Sequence, residues 1–246
     1  MNAASLQAEL RRLSDPERAA ALQRYFKTGK GQYGAGDVFL GVTTPQLKAA
    51  VKRYRDLPMP ELRRLLASAV HTDRSAGLEI MVSRYQRGDA LERGRLYRLY
   101  VSSLDRVNNW DLVDCSAPHI IGAHLRGRGK GILLRWARSP VLWRRRVAVL
   151  ATLAFIRDGS FGPTLRLARM LLDDREDLMH KAVGWMLREV GKRDQAVLER
   201  FLSRHCRRMP RTMLRYAIER FPERLRRAYL KGRPPAPDME TRKKIG

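Results

Sequence analysis

The segments Arg145–Ile156, RRVAVLATLAFI, and His180–Val190, HKAVGWMLREV, decide the fold. Laid so that Ala148 falls over Ala182, they also match Val149 with Val183, Leu153 with Leu187 and Ile156 with Val190. The offset is 34 residues (182 minus 148), a period typical of helical repeats. An earlier segment, RSAGLEIMVSRY from Arg74, places Ala76 a further 72 residues before Ala148, close to two such units. Within each segment the apolar residues recur at three and four, and strand-like alternation is nearly absent along the chain. The pattern predicts an all-α fold: an α–α superhelix, or solenoid, of HEAT-like helix pairs. An irregular helical bundle is the alternative.

Local punctuation agrees. Asp15-Pro16-Glu17 opens a helix, with Asp15 as cap and Pro16 in the first turn. Thr44-Pro45, Pro60, Ser139-Pro140, Pro210 and Pro222 mark further starts. The helix after Pro140 is expected to run through VLWRRRVAVLATLAFI. Such segments number about fourteen, mostly about 9–18 residues long and joined by short turns, as stacked pairs require. One stretch, KTGKGQYGAGDVFLG from Lys27 to Gly41, is irregular. Its Gly29, Gly31 and Gly34 formally match a dinucleotide fingerprint. That motif must follow a strand, and this one follows the helix ending YFK, so it is set aside. The loop is then either a basic approach to phosphates or a solvated connector. A single repeat domain is expected over residues 1–231, and a Pro-rich disordered tail over 232–246.

Charge narrows the function. The 246 residues carry a formal net charge of +25, with 44% apolar and 30% charged residues. A folded chain so basic repels itself, which points to a polyanionic partner. No apolar run reaches the ~18 residues of a spanning helix, and no signal or lipidation motif is expected, so membrane is disfavoured. Two cysteines, Cys115 and Cys206, make neither a disulfide framework nor a zinc site. His119 and His124 lie five apart, off the spacing of a helical metal pair. No metal or cofactor is expected, and a cytoplasmic, monomeric protein is. Basic residues recur along the whole chain, as in KAAVKRYR, RGRGK, WRRRV and SRHCRRM. One inward cation per helix pair would give a basic concave face suited to a duplex backbone, bound by shape and phosphate contacts.

Against that charge stands NNWDLVD, Asn108–Asp114. Asn108 or Asn109 caps a helix running through WDLVDCSA, and Asp111 sits in its first turn, where a carboxylate favours the helix dipole. Asp114 lies beyond that turn, four residues after Trp110 and on the same face. Pro118 removes the N–H that the Asp114 carbonyl would accept, so a kink is expected there. Two readings of Asp114 stay open: a functional carboxylate, or a buried ion pair with an arginine of the next repeat. Arg144, Arg145 and Arg146 fan ~100° apart around their helix, so at most one or two can point one way. Trp185, among Val183, Met186 and Leu187, reads as core or as site.

NNWDLVD, LWRRRVAVL and HKAVGWMLREVGK, in that order, together with VFLGVTTPQLK, resemble the AlkD family of bacterial DNA alkylation-repair glycosylases over about residues 15 to 225. The resemblance implies a HEAT-like solenoid that excises cationic N3- or N7-alkylated purines from duplex DNA. It places the tryptophan and second aspartate of a W-D-x-V-D motif on Trp110 and Asp114, an arginine on Arg146 and a further tryptophan on Trp185. In the family these form the cleft for the lesion-bearing nucleotide. Arg144, Arg145 and Lys181 follow as candidate DNA contacts. The run of three arginines departs from the family pattern, which puts Arg144 and Arg145 in doubt. Some relatives lack the aspartate or arginine and bind DNA without excision; this chain keeps both. The implied chemistry is stabilisation of an oxocarbenium ion by a carboxylate, without required base flipping. The alternative is a non-catalytic binder of DNA structure on the same scaffold.

Overall fold

The computed structural model describes residues 1–232, and these are mostly helical. The chain divides into two compact units, Met1–Arg128 and Gly129 onward. The tail expected from residue 232 lies, from residue 233, outside the described residues. No helix among the described residues is long and apolar enough to cross a membrane.

The first unit contains α1 (Ala3–Arg12), α2 (Pro16–Tyr25), α3 (Thr44–Arg53), α4 (Met59–Ala67), α5 (His71–Arg87), α6 (Ala90–Ser102) and α7 (Trp110–Ala117). Helix α5 is its centre and packs against α3, α4, α6 and α7. The second unit contains α8 (Gly131–Trp136), α9 (Leu142–Ala151), α10 (Leu153–Arg157), α11 (Gly162–Met170), α12 (Asp177–Arg193), α13 (Gln195–His205), α14 (Arg211–Ala217) and α15 (Glu223–Leu230). There α12 is central: α9 and α14 pack beside it, and α11 and α13 also contact it. The fold class is therefore all-α, with the stacked helix pairs that the repeat predicts. The aligned alanines show why the repeat persists. Ala76, Ala148 and Ala182 are all fully buried, so the three aligned positions share a core environment, where packing is dense.

Helix starts follow local chemistry. Asp15 accepts from the Arg18 amide, and Thr43 and Gln46 form a reciprocal capping box ahead of α3. The helix expected to run from Pro140 to Ile156 is instead two. Helix α9 begins at Leu142 and stops at Thr152, whose hydroxyl donates to the Val149 carbonyl at 2.7 Å, and α10 resumes at Leu153. A threonine hydroxyl bonded back to the preceding turn competes with the backbone ladder.

Pro118 cannot donate to the Asp114 carbonyl, and the chain there widens into a π-turn over Pro118–Gly122, a local irregularity of the kind expected at this proline.

The irregular stretch after α2 is not a solvated connector throughout. Its first half is exposed, but Asp37 and Phe39 are buried. Gly41 adopts φ +76°, and a Cβ there would fall 2.1 Å from the Asp15 carbonyl oxygen, so the chain passes where only glycine fits. The His71 amide then donates to the Val38 carbonyl at 2.8 Å, tying the loop to the start of α5.

Candidate functional site

Helix α7 carries the first two candidate residues, and its start is held by a buried polar network. Asn109 is fully buried; its side-chain Oδ1 accepts from the Trp110 amide at 2.8 Å, and its side-chain Nδ2 donates to Asp37 at 3.0 Å. The other oxygen of Asp37 pairs with Arg74, which is 3% exposed. Arg74 also donates to the carbonyls of Ser68 and Ala69, at 2.9 and 3.1 Å, and to the side chain of Asn108 at 3.2 Å. A buried guanidinium must have such partners or it would not be tolerated. The irregular loop thus supplies, through Asp37, the anchor for NNWDLVD.

Asp111 accepts from the Leu112 amide at 2.9 Å and meets His71 Nε2 at 3.0 Å. That completes the structural role expected of it in the first turn.

Leu112, Val113, Ser116 and Ala117 form the buried face of α7, which leaves Trp110 and Asp114 half-exposed on another, one turn apart. The Trp110 ring stacks on Phe26 at 5.0 Å and 15°, and Tyr25 meets it edge-on at 6.1 Å. Phe26 stacks in turn on Phe39, and Phe39 on His71, at 4.7 and 4.2 Å. Trp110 is therefore the outer member of an aromatic column whose inner end is bonded to Asp111. Tyr25 beside it is 65% exposed. In the sequence YFK marks only a helix end; two adjacent aromatics at the close of a helix were the available signal.

The carboxylates of α7 shape their surroundings. Burial pushes the Cys115 thiol well above its ordinary range, and Glu79, Asp111 and Asp114 push it further. Burial likewise raises the Tyr100 hydroxyl, opposed by its bond to Ser116 and reinforced by Cys115 and Asp114. A thiol so disposed holds no thiolate near neutral pH and is a poor nucleophile.

The second unit carries the other candidates. Arg145 is half-buried; it pairs with Asp174 through two nitrogens, at 2.7 and 3.3 Å, and donates to the carbonyls of Ser139 and Pro140. Its guanidinium fastens the start of α9 to the chain before α12. Arg146 is 4% exposed and donates to the Leu178 carbonyl at 2.6 Å. Arg144 is half-exposed on the same helix. Lys181 pairs with Asp177 one turn earlier on α12, at 2.7 Å, and that contact is the main reason the Asp177 carboxyl lies below its usual range. Trp185, also on α12, is half-buried, and its indole N–H donates to Glu189 at 3.1 Å. Its neighbour Gly184 lets α14 approach: a Cβ there would lie 2.5 Å from the Met213 carbonyl oxygen. Within each unit, then, Trp110 and Asp114 share one helix face, while Arg146 and Trp185 ride on the packed helices α9 and α12.

Comparison with known proteins agrees with this architecture. A family model described as DNA alkylation repair enzyme matches residues 6–221. A solved structure described as "Predicted DNA alkylation repair enzyme from Enterococcus faecalis" superposes with a TM-score of 0.65 at 18% identity. The match covers 85% of this chain and 97% of that one; at this identity it speaks for the fold. No curated protein matches.

Proposed function

The chain belongs to the DNA alkylation repair enzyme family, and from that premise we propose that it is a monofunctional DNA glycosylase for cationic N3- and N7-alkylated purines in duplex DNA. The observation that carries the proposal is the pairing, on one half-exposed face of α7, of an aromatic ring held by a stack with a carboxylate one turn away.

The chemistry follows from what alkylation does. A purine alkylated at N3 or N7 is already cationic and leaves without being protonated. What the enzyme must stabilise is the positive charge that grows on the deoxyribose as the glycosidic bond breaks. Asp114 supplies a carboxylate for that cation and orients the attacking water. The face of Trp110 packs on the sugar and favours its cationic form. The stack beneath Trp110 and the Asp37–Arg74–Asn109 network hold both groups in place before substrate arrives, which lowers the cost of reorganisation. Trp185 is assigned as a second aromatic surface for the sugar, and Arg146 as a fixed positive charge that offsets the repulsion between Asp114 and phosphate. Arg144 and Lys181 are assigned to the DNA backbone. Arg145, committed to Asp174, has the weakest case among these. Contacts made to the backbone and sugar leave the lesion free to stay stacked, so bulky cationic adducts fall within reach.

The test is release of free base from a duplex carrying one 7-methylguanine, by wild type and Asp114→Asn side by side. Release by wild type alone supports the proposal. Equal release by both removes Asp114 from the mechanism. Binding without release by either, extended to bulky cationic adducts, points to the non-catalytic DNA-structure binder.

A further inference from the structure

Helices α11 and α13 enclose a groove of about 690 Å³ that shares no residue with the candidate site. Arg166 and Arg169 stand on one wall, and Arg200 and Arg204 on the other. All four are exposed, and among the described residues none is paired with a carboxylate. Phe161 and Phe201 contribute to the apolar part of the lining. His205 lies at the same groove, its ring 4.6 Å from that of Phe201. Burial, then the charges of Arg208, Arg169 and Arg204, hold its imidazole below the ordinary range, as expected where positive charge is concentrated.

We propose that this groove is a second DNA-binding site, which takes one sugar–phosphate strand of a duplex segment other than the one in the candidate site. Three features favour that occupant. The polar side chains lining the groove are arginines and one histidine. Arginine only donates hydrogen bonds, so the ligand must be rich in acceptors. A phosphodiester backbone brings no donors, whereas an acidic peptide brings main-chain N–H groups that this lining would leave unsatisfied. Next, cations on each wall recur within about one helical turn, or roughly 5 Å, so a repeating anion meets several at once. Finally, a groove between neighbouring helices is too narrow for a whole duplex but admits one backbone ridge, with deoxyribose against the apolar part of the lining. The family's DNA substrate places further segments of the same polymer near any bound chain, which raises their effective concentration. The site lets one chain bridge two duplex segments, or pass between them without full release.

The inference rests on the family's action on DNA and not on the glycosylase reading. The test uses the full chain with two short unmodified duplexes, one carrying a fluorescence donor and the other an acceptor. Wild type brings donor and acceptor together at low salt, and excess protein disperses them. Arg169→Glu combined with Arg204→Glu weakens binding of the second duplex by at least about tenfold, with binding of the first changed by less than about threefold. Arg12→Glu combined with Arg18→Glu, the same change of charge at exposed positions outside the groove, retains energy transfer. Circular dichroism verifies that each variant is folded, and Arg169→Ala with Arg204→Ala repeats the test without reversing charge. Saturation of wild type at one duplex per chain overturns the proposal, as does an equal loss in the control pair. Release of 7-methylguanine from a single short duplex is unchanged in the groove variants, so failure of this site is distinguishable from failure of the catalytic one.

Discussion

His71 and Asp111 meet at 3.0 Å, Nε2 to Oδ1, and this bond joins the start of α5 to the first turn of α7. His71 is buried and also stacks on Phe39, so the aromatic column and the Asp111 contact of α7 end on the same imidazole. NNWDLVD thus contains two aspartates with different work: Asp111 fixes the helix, and Asp114, three residues on, is the proposed reacting carboxylate.

Asp111→Ala is therefore expected to destabilise the fold by about 1–3 kcal/mol, because it leaves a buried imidazole without its partner. Asp114→Asn is expected to change stability little while abolishing base release. Urea denaturation of the two variants, set against their base-release rates, separates the roles. A large stability loss in Asp114→Asn would contradict this division.

Arg74→Ala removes the guanidinium that faces Asp37 and leaves that carboxylate buried without its charge partner. A loss of roughly 3–5 kcal/mol is expected. The double variant Arg74→Ala, Asp37→Ala should recover part of it, because no buried charge then remains. Denaturation midpoints of the two single variants and the double variant test this as a thermodynamic cycle.

Gly184→Ala places a methyl group 2.5 Å from the Met213 carbonyl oxygen and 2.6 Å from the Tyr216 Cβ. Both obstacles lie at or next to backbone and cannot swing aside, so α14 must move off α12. A cost of about 1–3 kcal/mol is expected, read as a lower melting temperature.

Cys115 should react slowly with iodoacetamide in the native protein, since burial and then three carboxylates disfavour its thiolate. Asp114→Asn removes one of those charges and should speed the labelling. Cys115→Ser should retain base release. Mass-spectrometric time courses follow the labelling, and loss of activity in the serine variant would return the thiol to consideration.

His124 stacks on Tyr97 at 4.0 Å, and burial, then Arg128 and Arg98, lower its pKa from the ordinary 6.5. The folded state therefore takes up this proton at lower pH than the unfolded state does. Stability contributed by neutral His124 is present above 6.5 and is lost as pH falls from there toward the depressed native value. His205 is lowered as well and adds in the same direction. Unfolding free energy measured between about pH 7 and 5 should fall with acid, and His124→Gln should flatten the slope.

Much of the architecture was legible because its causes are local. Asp15 caps its helix through a contact spanning three residues, with Pro16 in the first turn, and Thr44-Pro45 marks the start of α3. The alanine echo marks positions that are all fully buried. Trp110 and Asp114 could be placed on one face from their spacing alone. Thr152, by contrast, gave no warning of the break between α9 and α10, since a threonine is equally compatible with a continuous helix. Tyr25 and Phe26 escaped notice because nothing near them in sequence marks Trp110 as their neighbour.

The amino-acid sequence by itself determined the helix class, the repeat, the excess of positive charge and the one face that pairs an indole with a carboxylate. Each is a property of composition or of spacing within a few turns. Tertiary structure decided which charged groups are available. Arg144, Arg145 and Arg146 are equal in the sequence, yet Arg145 is committed to Asp174 and Arg146 is buried against the Leu178 carbonyl. The loop from Lys27 to Gly41, a choice between phosphate binder and connector when read alone, became the anchor of α7 once Asp37 met Arg74 and Asn109. Those contacts join residues 37 and 72 positions apart. Whether a charge faces solvent or a partner depends on what the rest of the chain folds against it, and no local pattern carries that information.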